Sequence, residues 1–474
     1  MSTMFRSLAS YNYRLWFIGA LVSGAGMWMQ TTAQSWVVLT ELSDGDASAV
    51  GITMALQFAP QLLLVPVTGW VADRFDRRKP LLVTQILLAL LAGAVGFMLL
   101  SGVMTLPLMY VLAAALGVLT AFDNPARQAF VSDLVAYQNM SNAVALNAAS
   151  FNLARLVGPA LAGVLIVAVG TGWVFLINAA SFLVLIAVLV LIRVRELNPR
   201  TPFGRATGLA DGFRYVAGRS DLMVTFLLVF AVGAIAMNFP IIASTMALEF
   251  GEGADGFGLM NTFLAIGSLF GALLTARRPK ARIRVAMWAA VLYAVAAGAS
   301  AFMPSYWLYV STLAFTGFAV VTIFATSNGV VQTTSAPEVR GRVLALYMAM
   351  SMGGTAAGAP VIGFVAAHGG PRTAIVAGAA VVFLVFLVMV GWLFATGRVT
   401  RRAGYRFRLK LDDGPRVPTE YTASPKEAAA AVAAPAVASS TPASPSASAP
   451  TPASAPAAVS PQVPRAGALA GAED

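Results

Sequence analysis

There is no cysteine in this chain and a single histidine, His368. The first absence excludes disulfides and thiolate metal sites, and the second leaves a histidine-rich metal centre without ligands. Charge is scarce: 11% of the 474 residues are Asp, Glu, Lys or Arg against 58% hydrophobic, with a mean hydropathy of +0.77. Soluble globular domains do not carry that balance. A Gly-x4-Gly-Lys-Ser/Thr phosphate loop is missing, so direct ATP coupling within the chain is unsupported. No Ser/His/Asp arrangement or carboxylate pair falls in a common site, which makes a membrane-embedded enzyme a poor reading. Neither a metal nor a cofactor is expected. A cleavable leader is not expected either, because 1–14 is short and polar and the run behind it is a full span.

What the chain has instead is apolar runs long enough to cross a bilayer. They fall at 15–40, 50–71, 81–100, 106–122, 142–169, 173–192, 222–248, 257–276, 285–303, 306–327, 343–367 and 374–395. The net charge of +11 would suggest nucleic acid until its location is traced. All but Arg155 and Arg372 of the 31 Lys and Arg lie in alternate loops and the two termini, on one side. Those loops are then cytoplasmic, both termini are inside, and the basic balance reports topology and contact with anionic lipid headgroups. Glu41, Asp44, Asp46, Glu249, Glu252 and Asp255 mark the opposite loops.

Polar residues inside the spans are the candidates for function. Ser23, Gln30 and Gln34 share a face of span 1, and Gln57 and Gln61 lie four apart in span 2. Such amides either join helices or line a cavity and hydrogen-bond a substrate. Asp123 and Arg127 flank Pro125, which is expected to break the helix. The two side chains pair near the interface, or Asp123 titrates as a proton site. In span 5, Asn147 and Asn152 precede Arg155, whose place in mid-helix costs on the order of 2.5–3.5 kcal/mol. That outlay implies a partner: Asp123, a backbone carbonyl or an anionic substrate. Asn238 beside Pro240 is a candidate kink, and Asn261 and Tyr347 face the same prospective cavity.

The loop Gly69-Trp-Val-Ala-Asp73-Arg74-Phe-Asp76-Arg77-Arg78-Lys79-Pro80 returns about 202 residues later as Gly271 to Lys280, with Thr275 for Asp73. Gly158-Pro159 returns as Ala359-Pro360, and 132–134 aligns with 333–335. Corresponding motifs in two halves of equal span count indicate a duplicated transporter. The Gly-x3-Asp-Arg-x2-Arg-Arg order resembles the loop between helices 2 and 3 of the major facilitator superfamily of secondary transporters. The resemblance covers about residues 1–396, with Asp76 where the pattern has its second glycine. It implies that Gly69, Asp73, Arg74, Arg77 and Arg78 form a conformational latch. Gly158, Pro159 and Gly163 resemble the helix-5 motif of its antiporters, with Ala162 replacing one glycine. The Asp123-Asn-Pro-Ala-Arg127 turn and Ala336-Pro-Glu-Val-Arg340-Gly-Arg342 look like the branch containing enterobactin and macrolide exporters.

The expectation is an all-α integral membrane protein of twelve transmembrane helices in two pseudo-symmetric six-helix bundles. Residues 1–193 and 221–396 would be the bundles, 194–220 a cytoplasmic linker with a short surface helix, and 397–474 a basic, then Ala/Pro/Ser-rich, disordered tail. The resemblance implies a monomeric, multi-pass inner-membrane protein that expels a small organic molecule (drug, siderophore or secondary metabolite) in exchange for protons. Its substrate would meet Gln30, Gln34, Gln57, Asn147, Asn152, Arg155, Asn238, Asn261 and Tyr347, with Asp123 as the proton site. An uptake permease and a non-transporting membrane protein on the same scaffold are the alternatives.

Overall fold

The computed structural model describes residues 3–64, 67–68, 71, 76–198, 209–278, 281–336, 339–395, 397, 399–401 and 409–411. Apolar stretches in lipid must satisfy their backbone groups internally, so each becomes a helix. The first six are α1 (Tyr11–Thr40), α2 (Ala47–Leu63), α3 (Arg78–Leu100), α4 (Leu106–Leu134), α5 (Met140–Val169) and α6 (Thr171–Leu191). A short α7 (Leu209–Ala217) follows. Then come α8 (Ser220–Ala236), α9 (Phe239–Glu249), α10 (Ala254–Ala276), α11 (Ile283–Ser300), α12 (Tyr306–Thr334) and α13 (Arg340–Ala395).

Among the described residues, nine helical segments are long and apolar enough to cross a membrane, α8 and α9 counting as one. One of them, α13, turns back at Gly370 and crosses twice. With α1, which its polar side chains make less hydropathic, and α2, which is short, the crossings number twelve. Gly370 (φ 80°) and Gly170 (φ 89°) occupy equivalent hairpin turns two hundred residues apart. Only glycine adopts that conformation without strain.

One expectation changes. Pro125 does not break span 4: α4 runs through it to Leu134. Proline removes only one backbone donor, and a membrane helix buried against neighbours tolerates that loss. Within the tail, Val399–Arg401 and Leu409–Leu411 pair as a short antiparallel ribbon. Alternation of apolar and basic residues favours such a ribbon. The rest of that tail, with the unit Thr419–Asp474, lies outside the described residues. Span 2 is described as α2 to Leu63 and is again helical at 67–68 and 71; 65–66 and 69–70 lie outside the described residues. The kink at Asn238 is present: α8 ends before it and α9 begins after it.

All twelve crossings belong to one compact unit, Met1–Pro418. Within the first half, α1 packs on α5 and α6, α3 on α4 and α6, and α2 on α4. Within the second, α8 and α11 pack on α13, and α10 and α11 on α12. Lipid tails are as apolar as leucine, so close backbone approach decides which helices associate. The same device serves both halves. A Cβ on Gly158 would stand 2.8 Å from the Ala25 carbonyl, and one on Gly233 2.6 Å from that of Ser351. The halves meet chiefly where α2 packs on α13 and α5 on α10, with smaller contacts from α1 and α2 to α9.

Candidate functional site

Arg155, in the middle of α5, opens into a cavity between the two bundles. Trp28 and Thr31 of α1, Met54 and Phe58 of α2, Phe239 of α9 and Asn261 of α10 share its wall. Mostly apolar surface with a few placed polar groups is the make-up of a small-molecule site. The guanidinium carbon of Arg155 lies 5.4 Å from the centroid of the Trp28 ring, within cation–π range. Among the described residues it has no ion pair or hydrogen bond with the protein.

Asp123, one partner the sequence suggested for Arg155, is committed elsewhere. Its carboxylate accepts hydrogen bonds from Thr84 Oγ1 at 2.8 Å and Gln85 Nε2 at 2.6 Å, and pairs with Arg127 one turn along α4. Arg127 in turn donates to Ser23 Oγ at 2.9 Å and Gln85 Oε1 at 3.1 Å. Asp123 is only 2% exposed, so this network ties α1, α3 and α4 together inside the first bundle. A second cavity lies against it, lined among others by Asp123, Arg127, Asn147 and Phe151. Trp28 lines both cavities and meets Phe151 edge-on at 5.9 Å.

At the opposite end the central cavity is sealed. A Cβ on Gly51 would stand 2.5 Å from the Ala359 carbonyl oxygen, and one on Gly258 2.9 Å from the Gly163 Cα. Trp36 stacks on Phe257 across the same end, with centroids 5.7 Å apart. Met54, Pro159 and Asn261 each sit about one helical turn from these glycines, so the cavity begins directly beneath the seal. Gly51→Ala is expected to loosen the seal at a cost of about 1–3 kcal/mol of overpacking. A cysteine placed at Met54 is then labelled faster by a membrane-impermeant thiol reagent added from the side of the 41–46 turn. An unchanged labelling rate counts against the seal, and the chain's lack of other cysteines makes the readout clean.

Of the remaining sequence candidates, most serve helix packing. Gln34 Nε2 donates to Gln57 Oε1 at 3.2 Å, joining α1 to α2, and Gln30 accepts from Asn178 of α6. Asn238 Nδ2 donates to the Ala234 and Thr355 carbonyls at 2.7 and 3.1 Å, bridging the α8–α9 break to α13. Tyr347 is buried and donates to the Phe324 carbonyl at 2.8 Å, and Asn152 donates to its own helix at Ala148. Only Arg155 and Asn261 line the central cavity, with Asn147 on the adjoining one. Trp28, Thr31 and Thr32 went unnoticed in the sequence because the amides drew the eye to the other face of α1. At about 100° per residue, Trp28 stands well over a quarter-turn from Gln30.

The antiporter-type residues take three positions. Gly158 admits the Trp28 Cβ, which a Cβ of its own would meet at 2.6 Å; Pro159 lines the cavity; Gly163 lies in the seal. Of the latch, Arg77 Nη1 donates to Ala129 O and Ser132 Oγ at 2.9 Å and pairs with Asp133 at 2.6 Å. Arg78 Nε reaches the Leu189 carbonyl at 2.8 Å, so the two bind α3 to α4 and α6. Gly69, Asp73 and Arg74 lie outside the described residues.

Known proteins are similar to this chain in sequence and in fold. The chain is 28% identical over 360 residues to the multidrug efflux pump Tap of Mycobacterium tuberculosis, covering 70% of this chain and 81% of that protein. It is 26% identical over 269 residues to the staphyloferrin A transporter of Staphylococcus aureus, covering 55% of this chain and 66% of the relative. With the enterobactin exporter EntS of Salmonella choleraesuis it shares 26% over 325 residues, 66% and 76% of the two chains. In fold it resembles a bacterial homologue of the lysosomal transporter Spinster, solved inward-facing and occupied, with a TM-score of 0.64 at 15% identity over 85% of this chain and 100% of that one. A D-xylose–proton symporter gives a TM-score of 0.63 at 13% identity, over 79% and 96%. Residues 2–401 match the major facilitator family described as transmembrane secretion effectors. This chain is a multi-pass inner-membrane transporter belonging to that family.

Proposed function

We propose that the protein exports a small organic molecule by alternating access, driven by proton entry. The observation that carries this reading is the central cavity, sealed one turn away at one end and bordered at the other by Trp28, which also lines a second cavity. Residues 1–193 and 221–396 are the two rocking bodies, 194–220 the linker, and the working unit is a monomer. Basic loops place both termini in the cytoplasm, so the sealed end faces outward and substrate enters past Asn147 and Trp28. Arg155 over an aromatic face, with Asn261 across the gap, suits a substrate that joins an anionic group to a flat apolar one. The names of the relatives, a drug pump and two siderophore transporters, favour the outward direction.

Proton entry supplies the work, roughly 2.3 kcal/mol per charge per 100 mV. Asp123 is the proposed proton site, since a proton on its carboxylate would loosen Arg127 at the edge of the inner cavity. Asp73 and Arg74 are proposed to complete the latch begun by Arg77 and Arg78. A deletion strain challenged with a panel of drugs and siderophores is expected to accumulate the exported compound, and reconstituted vesicles to move it against a proton gradient. Lower accumulation in the deletion strain would mean uptake. Absence of flux for every compound that binds would leave a non-transporting membrane protein.

A further inference from the structure

The cytoplasm-facing loop of the second half has kept its cations and lost its carboxylates. In the first half Arg77 is neutralised by Asp133. The alignment that pairs 132–134 with 333–335 puts Thr334 where Asp133 stands, and Thr275 replaces Asp73. Between the ends of α10, α11 and α12 there is a cavity lined by Thr275, Arg278, Arg282, Thr326 and Thr333 among others, none of them acidic. Neither Arg278 nor Arg282 has an ion-pair partner among the described residues. The hydroxyls of Thr275 and Thr326 are buried with no hydrogen-bond partner among them, and Thr326 is 2% exposed. An orphaned buried hydroxyl is costly unless something fills its valence.

Among the described residues, two guanidiniums without an ion-pair partner and two unpartnered hydroxyls line one hollow, a set of donors that lacks an acceptor. We infer that this cavity binds a phosphate-type anion at the membrane interface, held by Arg278 and Arg282 and accepting from Thr275 and Thr326. Guanidinium groups meet phosphate oxygens in a two-pronged, charge-assisted manner, and threonine hydroxyls supply single donors. The cavity lies at the helix ends, the depth of lipid headgroups, so the phosphate arrives on an anionic phospholipid or free in solution. The site belongs to the second bundle alone and stands whether or not the export reading does.

The test uses the full chain purified in a neutral detergent, titrated with short-chain phosphatidylglycerol and separately with inorganic phosphate. Saturable phosphatidylglycerol binding is expected. It should weaken roughly fivefold for each of Arg278→Gln and Arg282→Gln, one interfacial cation apiece. Arg195→Gln removes the same charge from another loop and is expected to leave binding unchanged. Thr326→Val is expected to weaken binding while the protein without the probe melts at the same temperature or higher, since an orphaned hydroxyl is gone. Competition by inorganic phosphate supports a free-anion site, and binding of phosphatidylglycerol without it supports a headgroup site. The inference is overturned by no saturable binding of either probe, by equal loss in Arg195→Gln, or by Thr326→Val that binds normally and melts lower.

Discussion

Arg155→Met is expected to abolish export while the protein inserts, folds and melts at least as high as the parent. The guanidinium stands over Trp28 in the central cavity, and no carboxylate among the described residues neutralises it. Held there for the sake of the fold alone, it would be a net cost, on the order of 2.5–3.5 kcal/mol at mid-membrane. An apolar chain of similar length removes that cost. For a substrate that gives the cation its missing partner, the same change forfeits about 2–5 kcal/mol, at least roughly thirtyfold in affinity. Arg155→Lys keeps the charge but loses the planar face that lies on the indole, so an intermediate loss is expected. Flux in vesicles set beside thermal stability decides the matter. If Arg155→Met melts far below the parent, the residue is a structural support and its assignment to substrate fails.

The second large effect concerns Asp123. Asp123→Asn removes the negative member of a pair whose carboxylate side is almost wholly buried, and leaves Arg127 charged among α1, α3 and α4. Breaking a buried pair from one side costs about 3–5 kcal/mol, the lower end applying here because Arg127 is 19% exposed toward the inner cavity. The yield of folded protein should fall sharply, and the double change Asp123→Asn with Arg127→Gln should restore much of it. What the double variant then does separates two roles. If Asp123 only holds three helices together, the restored protein exports with normal dependence on the proton gradient. If it carries the proton, the restored protein binds substrate and exchanges it passively but no longer accumulates it against a gradient. Measuring stability and gradient-driven flux on the same preparations gives both answers.

How far could such arguments be made without coordinates? Hydropathy and the placement of basic residues are properties of local composition, so the crossings and the doubled architecture were legible, as was the break at Asn238. Pro125 misled because proline's effect depends on what surrounds the helix, and α4 is supported on both sides of it. The amides were ambiguous for a related reason. Gln30, Gln34 and Gln57 are costly in lipid wherever they sit, and their cost is removed equally well by a neighbouring helix or by a ligand. Composition cannot tell these apart; the side of the helix on which the partner lies can.

The sequence by itself determined that the chain crosses the membrane many times, that its halves repeat, and that one guanidinium lies deep in the apolar layer in need of a partner. Which partner was open to it, only the tertiary structure decided. By giving Asp123 to Arg127 and setting Trp28 beneath Arg155, helix packing left that cation facing a cavity. The physical reason is that burial and pairing depend on residues brought together from separate helices, and no periodicity along a single helix specifies which they will be.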